Sequence, residues 1–512
     1  MTTSLPSPGV AHVRGAVLTG IHAEIIEVQA TVAVGAPGFA IVGVSGDDTW
    51  QVRDRVRAAV LNSGLAWPLA GITVNLGPAS PFRRGCGLDL PIAVAILAAA
   101  GTVPPSAAGC VFAAELGLDG GLRPVRGIVP VLMAAAACGG HLTTVIAPDN
   151  GPEAAMLPGL ASASGESLRE IAAWLRGEHR AQMHARLAPR GSASGPPQHA
   201  GLTGFGVSPV LRQVLEVSAA GSHHLCLTGP REAAVPALAA GLATLLPDLA
   251  GPEAAEVTAI HSAAGLLGSG HARISRPPLR VPHHTVTMAA MLGGGTGLRP
   301  GEAALAHGGV LCLDDAPAFE HAVLRTLAQP LGDGEIVIAR GGSIARFPAR
   351  FILVAGMRPC PCRDRTACTC TSLQIRRYRD RVIGTLGSWI PLRVAVDPGD
   401  LGPITDTPSD READALSAAR VAEARDRMSH RLSGTPWRLN SDIPRDELHR
   451  TYPPADEGVA IIDHATDLGL IGNLGAGHIT AVAWTLADLA GRSRPGADEC
   501  AQALAFWTGA AR

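Results

Sequence analysis

The stretch His223-His224-Leu225-Cys226-Leu227-Thr228-Gly229-Pro230-Arg231-Glu232-Ala233-Ala234-Val235-Pro236 reads as a short apolar strand, a Gly-Pro turn and the start of an Ala/Leu-rich helix. That order is the setting of a phosphate-binding loop. In such a loop, glycines let backbone amides wrap phosphate oxygens, a lysine reaches the β- and γ-phosphates, and a hydroxyl holds magnesium. The setting is present and its chemistry is substituted. Glu232 and Ala234 stand at the interior glycine places, Val235 at the lysine place and Pro236 at the hydroxyl place. The sequence contains no lysine, so all 42 basic residues are arginines and no displaced lysine can serve.

At 512 residues the chain is too long for one core, and a usual domain size of about 100 to 200 residues predicts about three domains. With 47% hydrophobic but 3% aromatic residues, alanine, valine and leucine must build the interior. Mean hydropathy is +0.22, yet the longest apolar run, Pro91 to Ala100, falls short of the roughly 20 residues of a membrane span. The N-terminus lacks a charged segment followed by an apolar one, and a soluble, cytoplasmic protein with no membrane partner is expected. A net charge of −2 gives no global positive field, so contact with DNA would come from local arginine patches. Ten cysteines without a secretion signal predict reduced thiols.

Along the chain, alternating apolar segments from Val17 to Val44 around the turn Gly35-Ala36-Pro37-Gly38 predict a hairpin of strands. A helix carrying Val52 to Val60 ends at Asn62-Ser63-Gly64. A strand from Gly71 to Leu76, a loop through Arg83-Arg84-Gly85-Cys86-Gly87, a buried helix from Leu88 and a strand-turn-strand from Glu115 to Val125 follow. Together they predict an α+β domain over 1–176. Arg53, Arg55 and Arg57 read either as a solvated helix face or as phosphate contacts. Residues 177–206 turn rich in Arg, Ser, Gly, Pro and His and read as a flexible linker.

The domain predicted for 207–398 opens with a helix at Val207 and the substituted loop. Leu311-Cys312-Leu313-Asp314-Asp315 reads as a buried strand with carboxylates at its carboxyl end, where magnesium and water would sit. A helix from Phe319 to Leu331 and the turn Gly332-Asp333-Gly334 lead into a hairpin beginning with Glu335 to Arg340. An amphipathic helix from Arg411 to Arg431 and the helices after Leu448 predict an α-helical lid over 399–512.

Eight strings carry a resemblance that spans most of the chain. They are VRDRVRAAVLNSG (52–64), ITVNLGPA (72–79), GLDLPIAVAILAAAG (87–101), ELGLDGGLRPVRG (115–127), RPPLRVPHHT (276–285), MLGGG (291–295), PGEAALAHGGVLCLDD (300–315) and FILVAGMRPCPC (351–362). In this order they resemble the Mg-chelatase-like AAA+ family typified by ComM and YifB. The resemblance implies an N-terminal domain similar to ribosomal protein S5 domain 2 and the Lon protease domain, an AAA+ P-loop-type α/β core and a helical lid. Lon-type proteolysis needs a lysine, which this chain lacks. The resemblance further implies ATP and magnesium as cofactors, a homo- or hetero-oligomeric ring, an active paralogue as a candidate ring partner, and DNA branch migration as the activity of working members.

Residue by residue, the family's cofactor loop maps onto Gly229, Pro230, Arg231, Glu232, Ala233, Ala234, Val235 and Pro236. Asp314 matches the metal-holding aspartate, and Asp315 stands where a longer glutamate polarises the attacking water. Arg358 replaces a water-orienting asparagine, Ser388-Trp389-Ile390-Pro391 replaces the interface string Asp-Arg-Ile-Asp, and Trp484 stands where the lid helix usually bears arginine. The inserted hairpin implies DNA contact through Arg340, Arg346 and Arg350, with solvated charge as the other reading. Cys360-Pro361-Cys362 and Cys368-Thr369-Cys370 offer four thiolates, read either as a zinc site or as free thiols. The expected function is that of a pseudo-ATPase acting as a binding or scaffold protein. The alternative is an active ATPase or DNA helicase with an unorthodox site.

Overall fold

The computed structural model describes residues 9–33, 35–43, 49–77, 86–139, 142–157, 161–179, 182–183, 206–230, 234–267, 273–295, 297–340, 343–362, 368–402 and 408–510. Its N-terminal strands are β1 (Gly9–Thr19), β2 (His22–Ala33), β3 (Gly38–Val42), β4 (Gly71–Asn75), β5 (Cys110–Ala113), β6 (Glu115–Leu116), β7 (Leu122–Arg123), β8 (Thr143–Ile146), β9 (Ser162–Ser164) and β10 (Gln182–Met183). Eight of them form one sheet in the order β10-β9-β8-β5-β1-β2-β4-β3. The helix Asp89–Ala99 packs on this sheet, and its apolarity on every side follows from burial of nearly all its residues.

Two sequence expectations for this domain are corrected. The tight hairpin turns at Gly20-Ile21, where Gly20 has φ +66°, and not at Gly35 to Gly38. The second turn instead leads to β3, which lies parallel to β4, while β4 occupies the edge of β2. Alternation marks a half-buried strand but leaves its partner open. Within the segment 177–206 expected as a flexible linker, Gln182–Met183 is instead a short strand paired antiparallel with β9, and residues 180–181 and 184–205 lie outside the described residues.

The second domain holds β11 (Leu225–Thr228), β12 (Leu279–Arg280), the short pair β13 (Gly293–Gly294) and β14 (Arg299–Pro300), β15 (Val310–Leu313), the hairpin β16 (Glu335–Arg340) and β17 (Ser343–Pro348), then β18 (Ile352–Met357) and β19 (Leu392–Ala395). Its central sheet runs β12-β15-β18-β11-β19, with every neighbouring pair parallel. Alternate residues serve two cores. Leu225, Leu227, Val310, Cys312, Ile352 and Val354 face the helices Pro209–Gly221 and Val235–Leu245, while Cys226, Leu311, Leu313, Leu353 and Ala355 face Phe319, Leu324 and Val382. Cover on both faces is why these strands read as unbroken apolar runs.

The helix expected from Phe319 to Leu331 is two helices, His321–Thr326 and Ala328–Asp333. Pro330 has no amide to bond the Thr326 carbonyl, and its ring would crowd that carbonyl. Helices Pro408–Arg431, Asp456–Asp467, Asn473–Leu489 and Ala497–Thr508 form the lid, and Ile479, Val482 and Phe506 join the core beneath the sheet. Ser262 is one of the points where the two domains meet, as is Gly20 against Ala345 and Phe347. The Ser262 carbonyl accepts from the Gly127 amide at 3.0 Å, and its hydroxyl donates to Glu153 at 2.6 Å. Among the described residues no helix is long and apolar enough to cross a membrane.

Candidate functional site

Because β11, β15 and β18 run parallel, their carboxyl ends meet at one edge, where α/β sheets commonly hold ligands. A cleft of about 470 Å³ opens there, lined by Gly229, Val235, His283, His284, Asp314, Asp315 and Arg358 among others. The structure brings the end of the loop strand, the acidic strand end and Arg358, three positions read from separate stretches of sequence, to one cleft. Sequence alone assigned no role to His283 and His284, although adjacent histidines just after an edge strand were a usable signal. Their rings lie 4.1 Å apart, and His283 Nδ1 shares a 2.8 Å hydrogen bond with the Thr285 hydroxyl.

The loop does not present phosphate chemistry at the described positions. Val235 is only 8% exposed and belongs to the core. Its methyls crowd β18 so closely that a Cβ added to Gly356 would lie 3.0 Å from both. Ala234 holds a left-handed φ of +46°, a conformation glycine adopts freely and alanine does not. Pro236 sits in the first helical turn and supplies neither hydroxyl nor amide. Arg231, Glu232 and Ala233 lie outside the described residues.

Across the cleft, Arg358 reaches back 43 residues and donates to Asp315 Oδ2 at 2.9 Å. The Tyr378 hydroxyl donates to Asp315 Oδ1 at 3.2 Å, so each carboxylate oxygen has a donor. Partial burial works against the Arg358 cation, but the Asp315 carboxylate beside it holds the guanidinium above its ordinary value. Burial, and then the Asp315 charge, push the Tyr378 phenol up. Asp314 is exposed and has neither ion pair nor side-chain hydrogen bond among the described residues. A magnesium ion would therefore find Asp314 open, while a water molecule would find Asp315 engaged.

The other substituted positions are packed elsewhere. Trp389 lies against Gly332, whose added Cβ would meet the indole at 2.9 Å. Trp484 donates to the Tyr452 carbonyl at 2.8 Å, and the Arg431 guanidinium stacks over its ring at 4.2 Å.

The hairpin arginines do not form one patch. Arg346 is paired with Glu335 at 2.5 Å, Arg340 is exposed at the tip and Arg350 lies beyond the base. Six residues at about 3.3 Å each put roughly 20 Å between the last two.

The four cysteine Sγ atoms of Cys360, Cys362, Cys368 and Cys370 all lie within 4.8 Å of one another. Cys360 and Cys362 are 3.1 Å apart, and Cys368 is 3.5 Å from Cys360. Zinc bound by four thiolates at about 2.3 Å requires sulfurs roughly 3.8 Å apart, so this donor set fits a tetrahedral zinc. Hydrogen bonds, first from the Cys370 backbone and then from the Cys362 and Cys360 thiols, hold the Cys368 thiol below its usual value.

A parallel core with a phosphate-loop turn, an acidic strand end and a sensor position on one edge, followed by a helical lid, defines the AAA+ class of P-loop folds. Residues 208–401 match the family described as magnesium chelatase, subunit ChlI; residues 28–150 match subunit ChlI of Mg-chelatase, and residues 411–507 its C-terminal region. An uncharacterized protein of Mycobacterium tuberculosis is 39% identical over 498 residues, covering 96% of this chain and 98% of its own. The competence protein ComM of Haemophilus influenzae is 32% identical over 493 residues, 95% of each chain. YifB of Escherichia coli is 35% identical over 452 residues, 87% of this chain and 86% of its own. This chain belongs to the ComM/YifB-type Mg-chelatase-like family.

Proposed function

We propose that this chain is a pseudo-ATPase of its family, acting as a binding or scaffold component in DNA processing, without nucleotide turnover. The observation that carries this reading is the engagement of the Asp315 carboxylate by two side-chain donors. Asp315, at the water-activating position, already accepts from Arg358 and Tyr378 on its two oxygens. The substitutions at Val235 and Pro236 support it, since removing one charge-stabilising group typically costs about 10² to 10³ in rate. ComM is a competence protein by name, which favours DNA as the partner. The arrangement of the cleft is retained as a framework, with Asp314 the residue that would hold magnesium if nucleotide bound, and the cysteine cluster holds zinc as a structural ion.

Nucleotide titration and a steady-state ATPase assay on the purified full chain test this. Turnover near background is expected, and Val235→Lys with Pro236→Thr should restore some nucleotide binding at most. Magnesium-dependent hydrolysis at roughly 1 per second or faster, abolished by Asp314→Asn, would overturn the reading in favour of an active ATPase or helicase with an unorthodox site.

A further inference from the structure

The helix Ser372–Asp380 buries none of its residues. Arg376, Arg377 and Arg379 are exposed on it, with no ion pair or side-chain hydrogen bond among the described residues. So short a helix needs support from outside itself. Thr371 caps it in a capping box with Gln374, and the cap follows directly on Cys370 of the thiolate cluster. At the other end Tyr378 donates to Asp315 at 3.2 Å, and Arg381 donates to the Phe319 carbonyl at 3.1 Å. The helix is thus fixed at both ends while three guanidiniums are left to solvent. Arg376 and Arg379 stand one turn apart, where like charges repel, and Asp380 is the one acid on the helix. The hairpin differs, because there Arg346 is neutralised by Glu335.

We infer that this cysteine-anchored basic helix is a contact surface for the phosphate backbone of nucleic acid. The inference rests on the DNA partner of the preceding reading and moves the main contact away from the hairpin. On a chain of net charge −2 the local cluster is what a polyanion would meet. Planar guanidiniums suit phosphate oxygens, and contacts to phosphates carry no sequence information, so binding is independent of sequence.

The test is fluorescence anisotropy of the full chain with a single-stranded and a duplex oligonucleotide across a salt series. The variants are R376Q/R377Q/R379Q, the charge-keeping R376K/R377K/R379K, and R340Q/R346Q/R350Q on the hairpin. Releasing about 0.9 counterions per duplex phosphate contact, the glutamine helix variant should flatten the logarithmic salt slope by about 2 to 3 and lose roughly tenfold or more in affinity near 100 mM salt. The lysine variant should keep the slope, the hairpin variant should lose less, and the melting temperature of the glutamine variant should be unchanged because the three arginines are exposed, while Tyr378, the residue of the helix that packs on the core, is left in place. If the full chain binds DNA and the glutamine helix variant binds it equally, with equal slope, the helix is not the contact and the DNA reading survives. Failure of the unmodified chain to bind either oligonucleotide at low salt overturns both. Tighter binding of poly-glutamate than of DNA, with the same variant dependence, reassigns the surface to an acidic protein and overturns the inference.

Discussion

Asp315 shows how one substitution is answered by another. Its left-handed φ of +51° turns the carboxylate toward β18, where arginine stands at the position of a sensor asparagine. A neutral asparagine could orient water without holding the carboxylate, whereas the guanidinium pairs with it. His223, just before β11, is a second instructive residue. It is 2% exposed and lies 2.8 Å from the Thr485 hydroxyl. That hydroxyl donates to the Ala481 carbonyl, so it accepts from a neutral His223 ring. Burial, and then the neighbouring His478 and His224, lower the His223 pKa from 6.5 to about 3. At pH 7 the ring is neutral folded or unfolded. Below pH 6.5 the unfolded chain takes up a proton that the folded chain refuses until about pH 3. Stability should therefore fall with acidification across that window, by up to about 1.4 kcal/mol per pH unit from this group. Thermal melts from pH 7 to 4 check it: His223→Gln should start from a lower melting temperature and decline less steeply, and equal declines would sink the assignment.

At the scale of elements, the helix Thr49–Asn62 corrects the view of its arginines as one solvated face. Arg53 and Arg57 are exposed, but Arg55 makes a two-point pair with Asp89, at 2.6 and 2.9 Å, across to the buried helix Asp89–Ala99. Asp89 is fully buried, and burial raises its pKa against the opposing pull of Arg55. Arg55 is thus a clamp between helices, a role its spacing along the helix could not disclose. The cysteine segment is the opposite case, since two C-x-C pairs close in sequence already offered four thiols as a candidate zinc site, and the structure gathers those sulfurs within 4.8 Å of one another. The full chain purified without chelator should carry about one zinc, as four thiolates complete one tetrahedral site. Elemental analysis decides this: Cys360→Ser with Cys362→Ser should lose the metal, and an unmodified chain without stoichiometric metal would rule the centre out.

For the whole molecule, a buried polar network organises the lid and reaches the core. Within the lid Asn440 donates to Thr485 and to Asp488, each at 3.0 Å, and Arg431 donates to Asp488 Oδ2 at 2.7 Å. Thr485 lies 2.8 Å from His223 of the core, and the core's Arg212 donates to Asp414 of the lid at 2.8 Å. A core and lid held in this way keep the apolar framework of an AAA+ subunit while the catalytic positions are substituted. Assembly through that framework, alone or with a paralogue, is the expected consequence. Light scattering or ultracentrifugation at tens of micromolar, with and without nucleotide and DNA, should show a species larger than the 52.3 kDa chain. A strictly monomeric mass in every condition would refute self-assembly.

The sequence by itself determined several of the strands and helices, the loss of lysine and hydroxyl at the phosphate-loop positions, the acidic strand end and the clustering of four cysteines. Each of these is written in residue type and local spacing, which are properties of a few adjacent positions. Only the tertiary structure decided that β4 separates β2 from β3, that Val235 is a core side chain against Gly356, that Arg55 clamps Asp89, and that Arg358 and Tyr378 occupy Asp315. Strand pairing and buried ion pairs depend on which distant surfaces exclude water together. That sum runs over the whole core, and no short stretch of sequence contains it.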